Sequence, residues 1–154
     1  PMQFRSLLNG ALMQEKDLSI QTVADLEPMT DKHPSSQEVE DLLFANKLVK
    51  HSKSNAITLV KNKQLCASGI GQTSRVDSLK QAIEKANSFE FDLKGAVMAS
   101  DAFFPFGDNI ERAHRSGVSY IAEAGGSICD DHVIDTCNKY GICLAFTGVR
   151  LFHH

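Results

Sequence analysis

The sequence predicts a layered α/β domain: a mixed, largely parallel sheet flanked by helices. Two observations carry this. The chain has 154 residues, 42% of them apolar and 23% charged, which suits one globular domain with a real core. From about residue 95 onward, short apolar runs alternate with helical patterns, as parallel strands joined by crossover helices require.

The elements follow in order. Residues 6–14, SLLNGALMQ, read as a strand interrupted by glycine. A polar stretch then runs to Pro34, and Pro28 and Pro34 argue for a loop. Ser35-Ser36-Gln37-Glu38 is a capping box, in which a serine hydroxyl and a carboxylate three residues on satisfy each other's free amides. Val39, Leu42, Leu43 and Val49 follow at near-helical spacing, which predicts a helix to about His51. AITLVKNKQLCASGIG predicts two strands joined by a polar turn at Lys61–Lys63. Ser74 opens a second helix, with Val76, Leu79, Ile83 and Ala86 on one face. Strands are expected at 95–101, 118–122 and 141–147, and helices at 109–117 and 130–140.

Composition narrows the function classes. A net charge of −3 gives no reason to expect nucleic-acid binding. No apolar run approaches the length that spans a bilayer, so no membrane association is expected. No basic region followed by an apolar core opens the chain, so no signal peptide is expected and the expected location is cytoplasmic. The start at Pro1 reads as a processed or excised terminus. Cys66, Cys129, Cys137 and Cys143 form no C-x-x-C pair and read as reduced, buried thiols. The histidines lie in neither H-E-x-x-H nor the zinc-deaminase pattern.

Ligands of such sheets bind at the loops that follow the carboxyl ends of strands. Here those loops carry Asp101 with the aromatic FFPF turn, Glu123-Ala124-Gly125-Gly126-Ser127, Gly148-Val149-Arg150 and Gly71-Gln72-Thr73-Ser74-Arg75, while Lys53-Ser54-Asn55 precedes a strand. Together they could hold an anionic, planar ligand. Each has a plainer reading. Ser127 or Asp130 could cap a helix, where the glycines could instead offer N–H groups to a phosphate. Ser74 could cap a helix with Arg75 solvated beside it, where the arginine fork could instead bind phosphate or carboxylate. Asn55 could make a turn or orient a polar ligand group. The aromatics of SDAFFPFGDN could plug the core or face something flat.

SDAFFPFGDNIERA, GQTSR, KSNAI, AGGSI, TGVRLFHH and the opening FRSLLNGALMQEKD closely resemble, in this order along nearly the whole chain, the carboxyl-terminal half of one module. It is the formyltransferase part of the bifunctional AICAR transformylase/IMP cyclohydrolase family, AICAR being 5-aminoimidazole-4-carboxamide ribonucleotide. The resemblance implies a cytidine-deaminase-like subdomain spanning residues 1–154, with the cyclohydrolase module and the first transformylase subdomain absent. It implies formyl transfer from 10-formyltetrahydrofolate to the 5-amino group of AICAR in purine synthesis. It implies a homodimer with sites across the interface, and no zinc. Asn55, Arg75, Phe103, Ser127, Ile128 and Arg150 match AICAR-binding positions, with Asn55 the catalytic candidate. Val76, Pro105, Phe106 and Asp108 match folate-side positions, which leaves Phe104 as a core anchor. Asp101 and His154 resemble positions near a structural potassium site.

The match has departures. Glu123-Ala124 precedes Gly125 where relatives commonly carry proline, so the turn is expected to differ, and Gly107 stands where arginine is common, which could loosen the aromatic turn. The family's catalytic lysine and histidine lie in a K-H-x-N-P motif missing here; Lys50-His51 is followed by the asparagine motif and takes no such role. The chain by itself is therefore expected to have little or no activity. A free-standing nucleotide- or folate-binding half-domain is the alternative, and a zinc deaminase the third reading.

Overall fold

The computed structural model describes residues 2–15, 22–104 and 107–151. Its main body is a six-stranded mixed sheet between helical layers. In chain order the elements are β1 (Met2–Leu7), β2 (Gly10–Glu15), a 3-10 turn (Val23–Asp25), β3 (Glu27–Pro28), α1 (Ser36–Lys50), β4 (Ile57–Lys61), β5 (Gln64–Gly69), α2 (Arg75–Ser88), β6 (Val97–Ser100), α3 (Asp108–Ser116), β7 (Tyr120–Glu123), α4 (Asp130–Tyr140) and β8 (Cys143–Phe146).

The sheet order is β3-β8-β7-β6-β4-β5. β6, β7 and β8 pair in parallel, while β4 runs against both β5 and β6, and β3 runs against β8. Four of the six strands therefore share one direction, and the directly parallel pairs are confined to the second half, where strands and helices alternate.

Strand periodicity divides the core. Met98, Ile121 and Leu144 face a layer built with Leu79 and Ala82 of α2, Ile110 and Ala113 of α3, and Val133 and Cys137 of α4. Val97, Ala99, Tyr120, Ala122, Cys143 and Ala145 face Leu42, Ala45 and Val49 of α1. Both helices with predicted serine caps start as expected. The Ser35 hydroxyl accepts from Glu38 N at 3.2 Å while Ser35 N donates back to Glu38, and the Ser74 hydroxyl accepts from Asp77 N at 3.1 Å. The 61–63 reversal is a two-residue turn with Asn62 and Lys63 both left-handed (φ 52° and 58°). Buried Asp41 of α1 holds it, accepting from Asn62 N at 3.1 Å and Lys63 N at 2.8 Å.

Two expectations need correction. The stretch 6–14 is not one strand: it belongs to the antiparallel hairpin β1–β2, which reverses at Leu8–Asn9 and forms a separate two-stranded sheet. The loop expected up to Pro34 contains β3, where Glu27 and Pro28 pair with Phe146 and Ala145. Proline is tolerated there because β3 is an edge strand with only one ladder to satisfy.

Gly69 records how closely α2 lies on β5. A methyl group at this position would fall on the backbone carbonyl of Ser78. Gly69→Ala is expected to destabilise the chain by about 1–3 kcal/mol, the usual cost of overpacking, measured by urea denaturation; an unchanged midpoint would contradict so close an approach.

Candidate functional site

Because β4 runs against its neighbours, its beginning lies at the edge where β5, β6, β7 and β8 end. The loops expected to converge do so. Asn55 N donates to Gln72 O at 3.2 Å, the Asn55 side-chain amide donates to the same oxygen at 3.2 Å, and Gly71 N donates to Lys53 O at 2.7 Å. The Ser78 hydroxyl of α2 donates to Asn55 O at 2.8 Å. Asn55 thus makes the turn of its plainer reading and stands at the shared edge as well.

Arg75 opens α2 and points at the end of β6, where its guanidinium lies 3.1 Å from Asp101 Oδ1. The Arg75 side chain is 15% exposed and the Asp101 side chain 0%. Asp101 also organises the backbone around it: its N–H donates to Ala56 O at 3.3 Å and its carbonyl accepts from Leu151 N at 2.7 Å. That last bond brings the segment after β8 across the site. Arg150 lies beside it, its guanidinium carbon 5.2 Å from the centre of the Phe103 ring, in cation–π range. Val76 and Phe103 are half-buried, and Phe104 is fully buried in the core, as its expected anchoring role requires.

The glycine loop departs from one expectation. Gly126 N and Ser127 N donate to the two carboxylate oxygens of Asp130 at 2.8 and 3.1 Å, and the Ser127 hydroxyl accepts from Cys129 N at 3.1 Å. These amides already hold an anion, the protein's own, so the turn is closed from within rather than open as a phosphate nest; neither Ser127 nor Asp130 caps α4, whose N-cap is Cys129 with no side-chain cap bond. The turn is admitted by Gly125 (φ 75°), where a side chain would meet the Phe146 ring at 2.7 Å. Ile128 projects fully exposed, and Asp108 is exposed in the first turn of α3. Gly107 lets α4 approach, since a side chain there would meet His132 Nε2 at 2.8 Å and Thr136 Oγ1 at 2.9 Å. Pro105, Phe106 and His154 lie outside the described residues.

Glu123 escaped notice among the candidates because it reads as the first residue of a loop. It is the last residue of β7 and fully buried. Its Oε2 accepts from Phe104 N at 2.7 Å, and its Oε1 has no hydrogen-bond partner among the described residues. Burial pushes its carboxyl up from the ordinary 4.5 to about 7, helped by nearby Asp130 and opposed by the Phe104 N–H and Arg75. The signal that could have found it is the period-two pattern of YIAE, which puts Glu123 on the core face of Ile121. Among the described residues no three His, Cys, Asp or Glu side chains gather as a metal-binding group, and no helix is long and apolar enough to cross a membrane.

Comparison with known proteins decides the family. The family described as AICARFT/IMPCHase bienzyme matches residues 1–85. The chain belongs to that family. Two bifunctional purine biosynthesis proteins PurH illustrate the relatives of this AICARFT/IMPCHase chain. The one from Bacteroides thetaiotaomicron is 63% identical over 152 residues, covering 99% of the chain and 30% of the relative. The one from Aquifex aeolicus is 49% identical over 150 residues, covering 97% and 29%. The chain thus spans about 30% of the length of the curated relatives it matches. Among solved structures it is similar to the dCMP deaminase of cyanophage S-TIM5 in complex with dCMP and dUMP, with a TM-score of 0.50, 17% identity, 73% of the chain covered and 98% of the deaminase chain. This agrees with the expected deaminase-like fold.

Two outcomes are expected. Arg75→Ala strands the buried Asp101 carboxylate and should cost about 3–5 kcal/mol, whereas Arg75→Met with Asp101→Asn should cost much less; equal losses in chemical denaturation would contradict the pairing. For Glu123 the folded state holds a proton that the unfolded state has released between about pH 4.5 and pH 7. Stability should therefore fall as pH rises through that window, by on the order of 3 kcal/mol from this group, and Glu123→Gln should flatten that slope in pH-dependent melting.

Proposed function

We propose that this chain is the carboxyl-terminal, deaminase-like subdomain of a transformylase, and that it serves formyl transfer from 10-formyltetrahydrofolate to the 5-amino group of AICAR. The proposed setting is purine synthesis, as part of a longer bifunctional enzyme that also carries IMP cyclohydrolase activity. The observation that supports this best is the convergence of Asn55, Arg75, Phe103 and Arg150 on one sheet edge in a chain of the AICARFT/IMPCHase family. That family joins two activities, and the site's residue types favour the transferase. The PurH relatives are named for purine biosynthesis.

The chemistry asks for orientation above all. The acceptor amine is conjugated to an imidazole and is a poor nucleophile, so it must be held against the formyl carbon while charge develops on oxygen. Asn55 orients the carboxamide and amine. Arg75, its direction fixed by Asp101, and Arg150, held over Phe103, serve the nucleotide's anionic side. Ser127 and Ile128 complete the nucleotide side. Val76, Pro105, Phe106 and Asp108 form the folate side, with the aromatic turn as a wall between the two substrates. Potassium is proposed at Asp101, whose buried Oδ2 has no hydrogen-bond partner among the described residues, with His154 as a second contact; there it would hold loops together without taking part in transfer. The acid–base pair, in the proposal, comes from another subdomain of a cytoplasmic homodimer.

Titration of AICAR into the chain by calorimetry tests the reading. Weak or undetectable binding, restored on adding the missing portion of a PurH relative, is the expected result. Tight binding by the chain alone would favour a free-standing nucleotide-binding module, and turnover by the chain alone would overturn the proposed division of labour.

A further inference from the structure

We propose that Glu123 is a positioning residue of this site: its sealed carboxylate holds the Phe104 N–H, and so sets the neighbouring Phe103 ring against Arg150 on the nucleotide side. The proposal rests on the transformylase reading for its functional half and on geometry for its structural half.

Three observations converge. Glu123 ends β7 on the face of Ile121, so its side chain enters the layer between the sheet and α2, α3 and α4 rather than solvent. It spans two different loops of the site edge. Its carboxylate takes the Phe104 N–H, whereas its own backbone carbonyl accepts from Thr147 N at 2.9 Å, in the segment leading to Arg150. Phe104 is the buried neighbour of Phe103, so fixing its amide fixes the ring that stacks beneath Arg150. A core position this apolar is ordinarily filled by a hydrophobic side chain, and a buried acid with an unpartnered oxygen is a costly way to fill it. The charged and titratable groups around it are Arg75 of α2, the ion-pair partner of Asp101, and Asp130 and Cys137 of α4. Arg75 favours the ionised carboxylate and Asp130 disfavours it.

The experiment compares two variants of similar volume. Glu123→Gln keeps an oxygen that can accept the Phe104 N–H; Glu123→Met fills the space without a strong acceptor. In the chain itself, amide hydrogen exchange at Phe104 should be about tenfold faster in Glu123→Met, the usual worth of one hydrogen bond, and near wild type in Glu123→Gln. Unchanged protection in Glu123→Met, with both variants folded by circular dichroism, would overturn the anchoring role. If Glu123→Met does not fold, a wild-type Phe104 amide that exchanges at its intrinsic rate, without protection, would overturn it. The same variants in the bifunctional enzyme should raise KM for AICAR about fivefold or more for Glu123→Met, with KM for 10-formyltetrahydrofolate little changed and with rescue by Glu123→Gln. Lost protection with no change in AICAR KM would overturn the positioning role while leaving the transformylase reading intact. An enzyme without formyl transfer in its wild-type form would sink that reading and leave the Phe104 anchor to stand on exchange alone.

Discussion

The arrangement of the site edge depends on one buried ion pair. Arg75 begins α2 and Asp101 follows β6, so their 3.1 Å contact ties a helix to a strand that the chain visits 26 residues later. With Asp101 fixed, its backbone can receive Leu151 and reach Ala56, which draws the segment after β8 and the start of β4 to the same point. Removing Arg75 leaves the sealed Asp101 carboxylate without its ion-pair partner, which is why such a pair persists even where it adds little net stability. Its gain is definition: an arginine held this way offers its remaining geometry in one direction.

Much of this was legible in local sequence. The capping box at Ser35 and Glu38 and the cap at Ser74 placed two helix starts, because a hydroxyl bonding an amide three residues away is a local event. The span of α4 matched its expected limits for a similar reason: Asp130 and Asp131 open it and left-handed Gly141 closes it. The alternation of strand and helix after residue 95 gave the parallel core. The loops converged as expected because strand direction alone decides which ends share an edge.

What was not legible is what tertiary neighbours decide. The stretch 6–14 reads as one strand only if Asn9-Gly10 is taken as an interruption, whereas that pair marks the reversal of a hairpin. β3 was missed because Pro28 punctuates most contexts yet tolerates a sheet edge. Glu123 and Asp101 look like ordinary loop acids in sequence, and only the packed layers reveal that both are sealed inside. The glycine loop looked open to an anion until Asp130 turned out to occupy its amides.

The β1–β2 hairpin has a consequence for how the molecule responds to stress. Its ladder is its own, separate from the main sheet, and Met2, Phe4 and Met13 lie on its one face, exposed. Two strands that, among the described residues, pack chiefly on each other are marginal in water. The hairpin is therefore expected to open more readily than the six-stranded core, and a melting curve that follows the core is blind to it. Conditions that leave the core intact can still take the hairpin apart, so that the first apolar surface to meet a neighbouring molecule is the arm, well before any global transition is seen.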